Sequence, residues 1–365
     1  MAKIVIDARI INSSTGHYIL RVLQYLEKLD QENEYVVLVP SRDIGFWRPI
    51  NPNFSVMAAD FKNFTVVSEQ LRFNAFLKEL HADLVHFTMP QQPVLYPGKK
   101  VTTVHDLIPF QTWNSDKNWL IYHAKQFVGR FVVKRIGRTS EFIIVPTKYI
   151  RDQYAKFANI SKKKIVVTYE SADPADKVYE KYPVPFKKYL LYVGQQSDYK
   201  NLIRLVQAHQ KLLEKYPDLG LVLVGKINQS KTGVHEFVKT SSARNVHFTG
   251  YVSDEQRNWL FPHCQIYVFP STMEGFGLPP LEAMINGAPV VSSNATCMPE
   301  LYGDAAVYFD PLNIDEMADK IAEVLDDDKL RSDLIKKGAK CVAEFSWETC
   351  ARETLEVYQK ALRCD

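Results

Sequence analysis

Short runs of aliphatic and β-branched residues alternate with amphipathic stretches along the chain, and the alternation occurs twice. The first series is IVIDARII (4–11), YVVLVP (35–40), LVHF (84–87), VTTVH (101–105), FIIVP (142–146) and KIVVTY (164–169). The second is YLLYVG (189–194), LVLVG (221–225), VHFTG (246–250), QIYVFP (265–270), APVVSS (288–293) and AVYFDP (306–311). Helical patterns lie between them at 18–30, 66–80, 118–136, 201–216, 253–261 and 313–343. Strands alternating with helices predict parallel sheets joined by crossover helices. Two series therefore predict two Rossmann-like, doubly wound α/β domains, 1–183 and 184–346. The break is expected near 179–188, where Pro183 and Pro185 stand among charged and aromatic residues. Ligands of open parallel sheets bind at the carboxyl ends of the strands. The expected site is thus a cleft between two facing sheets.

At 365 residues the chain is long enough for two domains. A hydrophobic content of 46% with 24% charge suits a water-soluble globular protein. No apolar run is long enough for a membrane span. Met1-Ala2-Lys3 leads directly into the first apolar run, without the features of a signal peptide. Cys264, Cys297, Cys341, Cys350 and Cys364 show no zinc-like spacing, so reduced thiols in a cytoplasmic protein are expected.

Charge is uneven. Residues 1–183 hold 25 Lys/Arg against 18 Asp/Glu, and residues 184–365 hold 20 against 24. The excess concentrates between Lys117 and Lys164, with 12 basic residues against Glu141 and Asp152. Within 117–138, Trp119, Tyr122, Phe127 and Phe131 interleave with Lys125, Arg130, Lys134, Arg135 and Arg138. Such a helix can lie on an anionic membrane. It can equally pack its apolar side on its own sheet and leave its basic side solvated. Nucleic acid is not expected, because no helix-turn-helix, zinc or stacking motif accompanies the charge.

One segment carries most of the chemistry. The apolar run ending at Phe269 opens into a loop holding Glu274, Gly275, Phe276 and Gly277, and a helix then starts at Leu278-Pro279-Pro280 and carries Glu282. Proline suits a first helical turn, where its missing N–H is not needed. The glycines let backbone approach a ligand closely. The loop would aim backbone N–H groups and a helix dipole at an anion. Two carboxylates eight positions apart flank it. A phosphate cradle with acidic groups on either side suits a nucleotide-linked sugar, whose hydroxyls would donate to the carboxylates.

Four further candidates follow strands. Gly16 lies in the turn after the first run; small residues there permit close approach of a substrate, although a plain βα turn would also use a glycine. His105, with Asp106, ends VTTV, and His86 is a second candidate on the same face. A strand-end histidine can also be purely structural. Lys200 follows the run 189–194 and precedes a helix, where it can neutralise a leaving diphosphate.

Glu-x7-Glu around Gly-Phe-Gly-Leu-Pro, followed by Glu-Ala-Met and Gly-Ala-Pro-Val-Val, resembles the signature of the retaining glycosyltransferases of family 4, which have the GT-B fold. The resemblance spans nearly the whole chain and is densest from 189 to 311. It implies that Glu274 binds donor-sugar hydroxyls and stabilises an oxocarbenium-like transition state, and that Glu282 holds the ribose. It assigns the diphosphate to the Gly275–Leu278 amides and Lys200, and the base to Tyr251 and Val252. His105 would orient the donor sugar. Ser271 and Thr272 are further hydroxyl candidates. Where the family has a phosphate-binding arginine, this chain has Gln195; Lys226 and Arg204 are the possible substitutes. Asp7-Ala8-Arg9 and Thr15-Gly16-His17-Tyr18 resemble a mannosyltransferase-like branch, with His17 replacing an Ile-Gly-Arg-like insertion, and point to GDP-mannose.

The expected activity is transfer of a hexose from a nucleoside diphosphate sugar to a hydroxyl of a glycan or lipid-linked glycan. No metal or other cofactor is expected, since the Asp326-Asp327-Asp328 run lies between two helical patterns and reads as a solvated turn and not as an Asp-x-Asp metal motif. The expected location is the cytoplasm, with peripheral attachment to the inner face of the membrane through 117–138 left open. The alternatives are a GT-B-fold epimerase or phosphorylase and a non-catalytic sugar-nucleotide-binding subunit. By resemblance, the helix over 347–365 crosses back onto the first domain.

Overall fold

The computed structural model describes the chain except residues 14, 63–64, 112–118, 174–177, 228–232 and 365, and except the side chains of residues 66 and 119–125. It divides into two compact units, Met1–Glu170 with Ser346–Asp365, and Ser171–Phe345. The division thus falls at Ser171, ahead of the proline-containing stretch expected to mark it.

The first unit holds strands β1 (Lys3–Asp7), β2 (Glu34–Val39), β3 (Phe54–Ala58), β4 (Leu84–Phe87), β5 (Lys100–Thr103), β6 (Phe142–Val145) and β7 (Ile165–Val167). They form one parallel sheet in the order β3-β2-β1-β4-β5-β6-β7. The second unit holds β8 (Lys188–Val193), β9 (Leu219–Val224), β10 (Val246–Gly250), β11 (Ile266–Phe269), β12 (Val290–Ser293) and β13 (Ala306–Phe309). These are also parallel, in the order β10-β9-β8-β11-β12-β13. Both sheets are doubly wound. Strand order reverses between β1 and β4 in one and between β8 and β11 in the other. Loops leaving those strands open a crevice at the carboxyl edge.

The runs are strands because both faces are covered. Ile4, Val5, Leu84 and Val85 are fully buried in the first sheet, as are Leu190, Leu191, Leu221 and Val222 in the second. The helix Trp347–Leu362 packs with the helix Gly16–Leu29 in the first unit, burying Trp347, Cys350, Ala351, Val357 and Tyr358. Ser346 caps it, accepting from the Thr349 amide.

Several elements depart from the expectations. β3 alternates buried and exposed residues at the sheet edge, and Phe54-Ser55-Val56-Met57-Ala58 is too mixed to stand out. The pattern over 313–343 is two helices, Ile314–Asp326 and Asp328–Val342, because Asp327 leaves the helical conformation and caps the second through the Leu330 amide. The stretch over 66–80 opens as a π-helix, Val66–Phe73, before the α-helix Asn74–Glu79. Helices Lys148–Ala158, Val234–Thr240 and Met298–Tyr302 were not marked by periodicity.

Two histidines are built into the cores as neutral rings. His86 lies between Tyr358 Oη (2.6 Å) and Thr103 Oγ1 (2.8 Å), and burial, with His105 nearby, pushes it down to about 3. His209 is held to about 4 by burial, partly offset by its bond to the Leu219 carbonyl. An unfolded histidine takes up a proton near pH 6.5. Their stabilising contribution is therefore complete above about pH 6.5 and is lost as pH falls toward the folded values, at about 1.4 kcal/mol per pH unit per ring. Each unit carries one such ring, so both should unfold at lower urea concentration at pH 5 than at pH 7. Equal midpoints at the two pH values would contradict this.

Candidate active site

In the second unit the loops after β8 and β11 are stitched together. Asn201, in the left-handed conformation at φ +61°, donates through Nδ2 to the carbonyls of Pro270 (3.0 Å) and Pro311 (2.7 Å). The Thr272 amide and hydroxyl both donate to the Tyr199 carbonyl, at 2.8 and 3.1 Å. This bracing places Lys200 Nζ 2.6 Å from Glu274 Oε1, with side-chain exposures of 11% and 10%. The ammonium lies 5.0 Å from the Tyr199 ring centre and 5.5 Å from that of Phe269.

Beneath Glu274 the floor is aromatic and buried. Burial holds the phenols of Tyr192, Tyr267 and Tyr302 well above their ordinary range, and the Glu274 charge adds to this at each. Burial, then Glu274, pushes the Cys297 thiol up as well. That thiol donates to the Glu274 and Phe276 carbonyls, at 3.4 and 3.2 Å. The Glu274 amide donates to Thr296 Oγ1 at 3.2 Å. Charges in such a medium interact more strongly than in water. The pair is mutually neutralising, and each charge is expensive to leave alone.

Gly277 turns the chain into the helix Leu278–Ile285 at φ +96°. A Cβ there would stand 2.3 Å from Tyr302 Oη, which donates to the Gly277 carbonyl at 2.7 Å. Only glycine satisfies both the backbone angle and the space. Gly275 is buried beside it, and Phe276 is buried with its ring edge-on to Phe345. Leu278 starts the helix, and Pro279 and Pro280 occupy its first turn. Glu282, half-buried in the next turn, adds to the field on the Tyr267 phenol.

The remaining candidates of this unit are spread out. Tyr251 is 89% exposed just past β10, two strands from β8, while Val252 is buried beside Ser253, which caps the next helix. Ser271 is fully buried. Gln195 is exposed and offers only its carbonyl, to Tyr192 Oη at 2.7 Å. Of the two substitutes for the family arginine, Arg204 is bound to Asn201 Oδ1 at 2.9 Å and Lys226 is exposed.

The first unit gathers a separate polar set at the ends of β1, β4, β5 and β7. His105 Nε2 lies 3.1 Å from the Thr88 carbonyl, and Nδ1 lies 3.3 Å from Glu170 Oε1. The Tyr18 ring meets the imidazole edge-on, with centres 4.8 Å apart. Arg9 forms a bidentate pair with Asp7, both contacts at 2.8 Å, and its guanidinium stacks 3.9 Å over Phe73. His86 is fully engaged in the core. At Gly16 a Cβ would lie 2.1 Å from the Ile11 carbonyl oxygen. A side chain at this position would thus collide with the chain's own loop, which accounts for the glycine. His17 replaces the insertion by packing edge-on to Trp347 at 5.9 Å.

The structure thus brings Lys200 and Glu274 together and places His105 in the other unit. Sequence reasoning missed Glu170, Thr296, Cys297 and Tyr302. Glu170 directly follows the run 164–169, so the strand-end rule could have found it. The other three reach the site from a neighbouring strand's loop and left no local signal.

Two doubly wound parallel sheets in one chain are the architecture of the GT-B glycosyltransferases, and the similar structures are of that class. Residues 180–341 match the family described as glycosyl transferases group 1, and residues 15–176 match glycosyltransferase family 4. The O-antigen chain mannosyltransferase B of Escherichia coli is 32% identical over 72% of this chain and 70% of its own. The fold matches sucrose-phosphate synthase from Thermosynechococcus elongatus with a TM-score of 0.77, at 17% identity over 99% of each chain. It also matches Anabaena HepE in complex with UDP, with a TM-score of 0.74 and 16% identity over 99% of this chain and 100% of that one. The chain belongs to glycosyltransferase family 4 and is a hexosyltransferase.

Proposed function

We propose that this glycosyltransferase moves mannose from GDP-mannose, with retention of anomeric configuration, to a hydroxyl of a glycan or lipid-linked glycan. The observation that carries the reading is the Lys200–Glu274 pair, 2.6 Å apart at the switch point of a doubly wound sheet. The mannose assignment is supported by the relative named as an O-antigen chain mannosyltransferase. A nucleotide donor is supported by a relative in fold that was solved with UDP.

Lys200 and the Gly275–Leu278 amides hold the diphosphate, and Glu282 accepts from the ribose. Glu274 accepts from donor-sugar hydroxyls and faces the positive charge that grows at the anomeric carbon. Tyr251 and Val252 border the base, and His105 takes the sugar-orienting role that the family resemblance gives it. The anomeric C–O bond to the diphosphate breaks as the acceptor oxygen bonds to the same face. The acceptor proton passes to the leaving phosphate oxygen. Charge on that phosphate is met by Lys200 and backbone amides, so turnover should survive EDTA.

The test pairs two measurements. GDP at 100 times its dissociation constant should raise stability by about 2.7 kcal/mol, read as a rise in Tm above that given by UDP. GDP-mannose should be hydrolysed slowly without acceptor, with or without EDTA. Absence of both responses removes the reading. Loss of hydrolysis with EDTA, restored by magnesium, removes the metal-free part.

The acceptor side includes the helix Trp119–Thr139. Val133 and Ile136 are buried, so one side does pack on its own unit. Phe127, Val128 and Phe131 are instead 76%, 59% and 61% exposed. Beside them, Arg130 lies 5.9 Å from the centres of the Phe110 and Phe157 rings, and Lys134 lies 5.5 Å from that of Phe157. The side chains of Trp119, Tyr122 and Lys125 lie outside those described. No described helix is long and apolar enough to cross a membrane. An apolar trio among cations fits peripheral attachment to an anionic membrane, at roughly 1 kcal/mol per engaged Lys or Arg. The variant with Arg130, Lys134 and Arg135 all changed to Glu should no longer sediment with anionic vesicles, and donor hydrolysis should persist. Wild-type binding should weaken with salt, since charges are screened beyond about 10 Å at 0.1 M. Absence of wild-type binding at low salt would leave a solvated helix.

A further inference from the structure

We propose that Glu170 is a positioning residue that fixes the ring of His105. The inference rests on the reading that His105 orients the donor sugar, and adds a residue to it. The Thr88 carbonyl can only accept, so His105 Nε2 carries a proton and donates at 3.1 Å. Thr88 is itself anchored, its hydroxyl donating to the Asp7 carbonyl at 2.5 Å. Nδ1 then faces Glu170 Oε1 at 3.3 Å, and one proton lies along that contact. The edge-on Tyr18 ring, at an interplanar angle of 81°, fixes the plane. Its hydroxyl lies 3.3 Å from Thr103 Oγ1. The orientation of the ring is set from three sides.

The neighbouring groups leave this role to the carboxylate. Tyr18 is kept neutral by burial, which drives its phenol up. Cys350, facing Glu170 from the C-terminal helix, is likewise driven up by burial and then by the Glu170 charge. His86 is neutral, at about 3. Asp106, next in the chain, points Oδ1 at the Ile108 amide, 3.0 Å away. Among these groups, Glu170 supplies the charge directed at the ring. A buried carboxylate needs a partner, and among the described residues Glu170 meets an imidazole at the end of a strand.

The test is a double-mutant cycle of Glu170→Gln and His105→Asn. It reads GDP-mannose hydrolysis without acceptor, GDP binding by calorimetry and Tm. Glu170→Gln should lower kcat by roughly tenfold or more, the scale on which partners that orient a working histidine act, and leave the Kd for GDP unchanged. The double variant should be no slower than His105→Asn alone, because Glu170 acts through that ring. Losses that multiply would overturn the proposal. So would wild-type turnover in Glu170→Gln beside a crippled His105→Asn, which would spare the reading of His105. Wild-type turnover in both variants would remove that reading and the proposal with it. If Glu170→Gln lowers Tm, Glu170→Asp, which keeps the charge and shortens the reach, goes through the same cycle. A second readout needs no substrate. In 15N-labelled protein, Glu170→Gln should shift the His105 Nδ1 resonance and leave that of Nε2 nearly in place. An unmoved Nδ1 resonance overturns the contact.

Discussion

Glu274→Gln should lower turnover by roughly a hundredfold to a thousandfold, the loss seen when one preorganised electrostatic partner of a transition state is removed. Glutamine keeps the shape and an oxygen within reach of Lys200, so the substitution deletes charge and little else. The loss should fall on kcat. The carboxylate neutralises the lysine, 2.6 Å away. A nucleoside diphosphate must draw that lysine away, and in the Glu274→Gln variant it competes against a weaker partner, a neutral amide. GDP should therefore bind Glu274→Gln as tightly as wild type, or more tightly. Glu274→Ala is the poorer probe, because breaking a buried pair costs about 3–5 kcal/mol and folding would confound the rate. Single-turnover kinetics with GDP-mannose, beside calorimetry with GDP, separates the two quantities. Turnover within a factor of ten of wild type would exclude the role given to Glu274.

The part of the site legible in the sequence is the part that is local in sequence. Glu274, Gly275, Gly277 and Glu282 lie within one strand–loop–helix passage, and its proline–glycine punctuation announces the turn. Lys200 was legible for the same reason, as a cation between a strand and a helix. That Lys200 and Glu274 touch was not legible, because the contact depends on β8 and β11 being neighbours in the sheet. Order along the chain does not state order across a sheet. Thr296, Cys297 and Tyr302 support the loop from beyond β12, and Glu170 meets His105 across the β5, β6 and β7 edge. The fold was more legible because β-branched runs mark strands wherever they are buried on both faces. It failed at β3, an edge strand with mixed exposure, and at Asp327, where a cap divides a continuous helical pattern. Gly16 has a structural reason that the sequence did not show: a Cβ there would meet the Ile10 and Ile11 carbonyls.

Lys200→Met should weaken GDP binding by roughly tenfold to a hundredfold, the equivalent of losing one charged hydrogen bond at about 1.5–3 kcal/mol. Methionine keeps an unbranched stem against Tyr199 and Phe269 and removes the ammonium. Turnover should fall as well, because the leaving diphosphate develops charge that the lysine would meet. The variant also strands Glu274 as a carboxylate over three neutral phenols, so its Tm should drop. The double variant Lys200→Met with Glu274→Gln distinguishes stability from chemistry. With both charges of the pair gone, it should regain most of the lost Tm, since a buried pair replaced as a whole costs little while a broken one costs about 3–5 kcal/mol. It should recover neither GDP affinity nor turnover. The pair would then be a functional arrangement held at the expense of the core. Unchanged GDP affinity in Lys200→Met would remove the lysine from the phosphate site. A double variant whose Tm losses simply add would show that the two side chains do not neutralise each other in the folded protein.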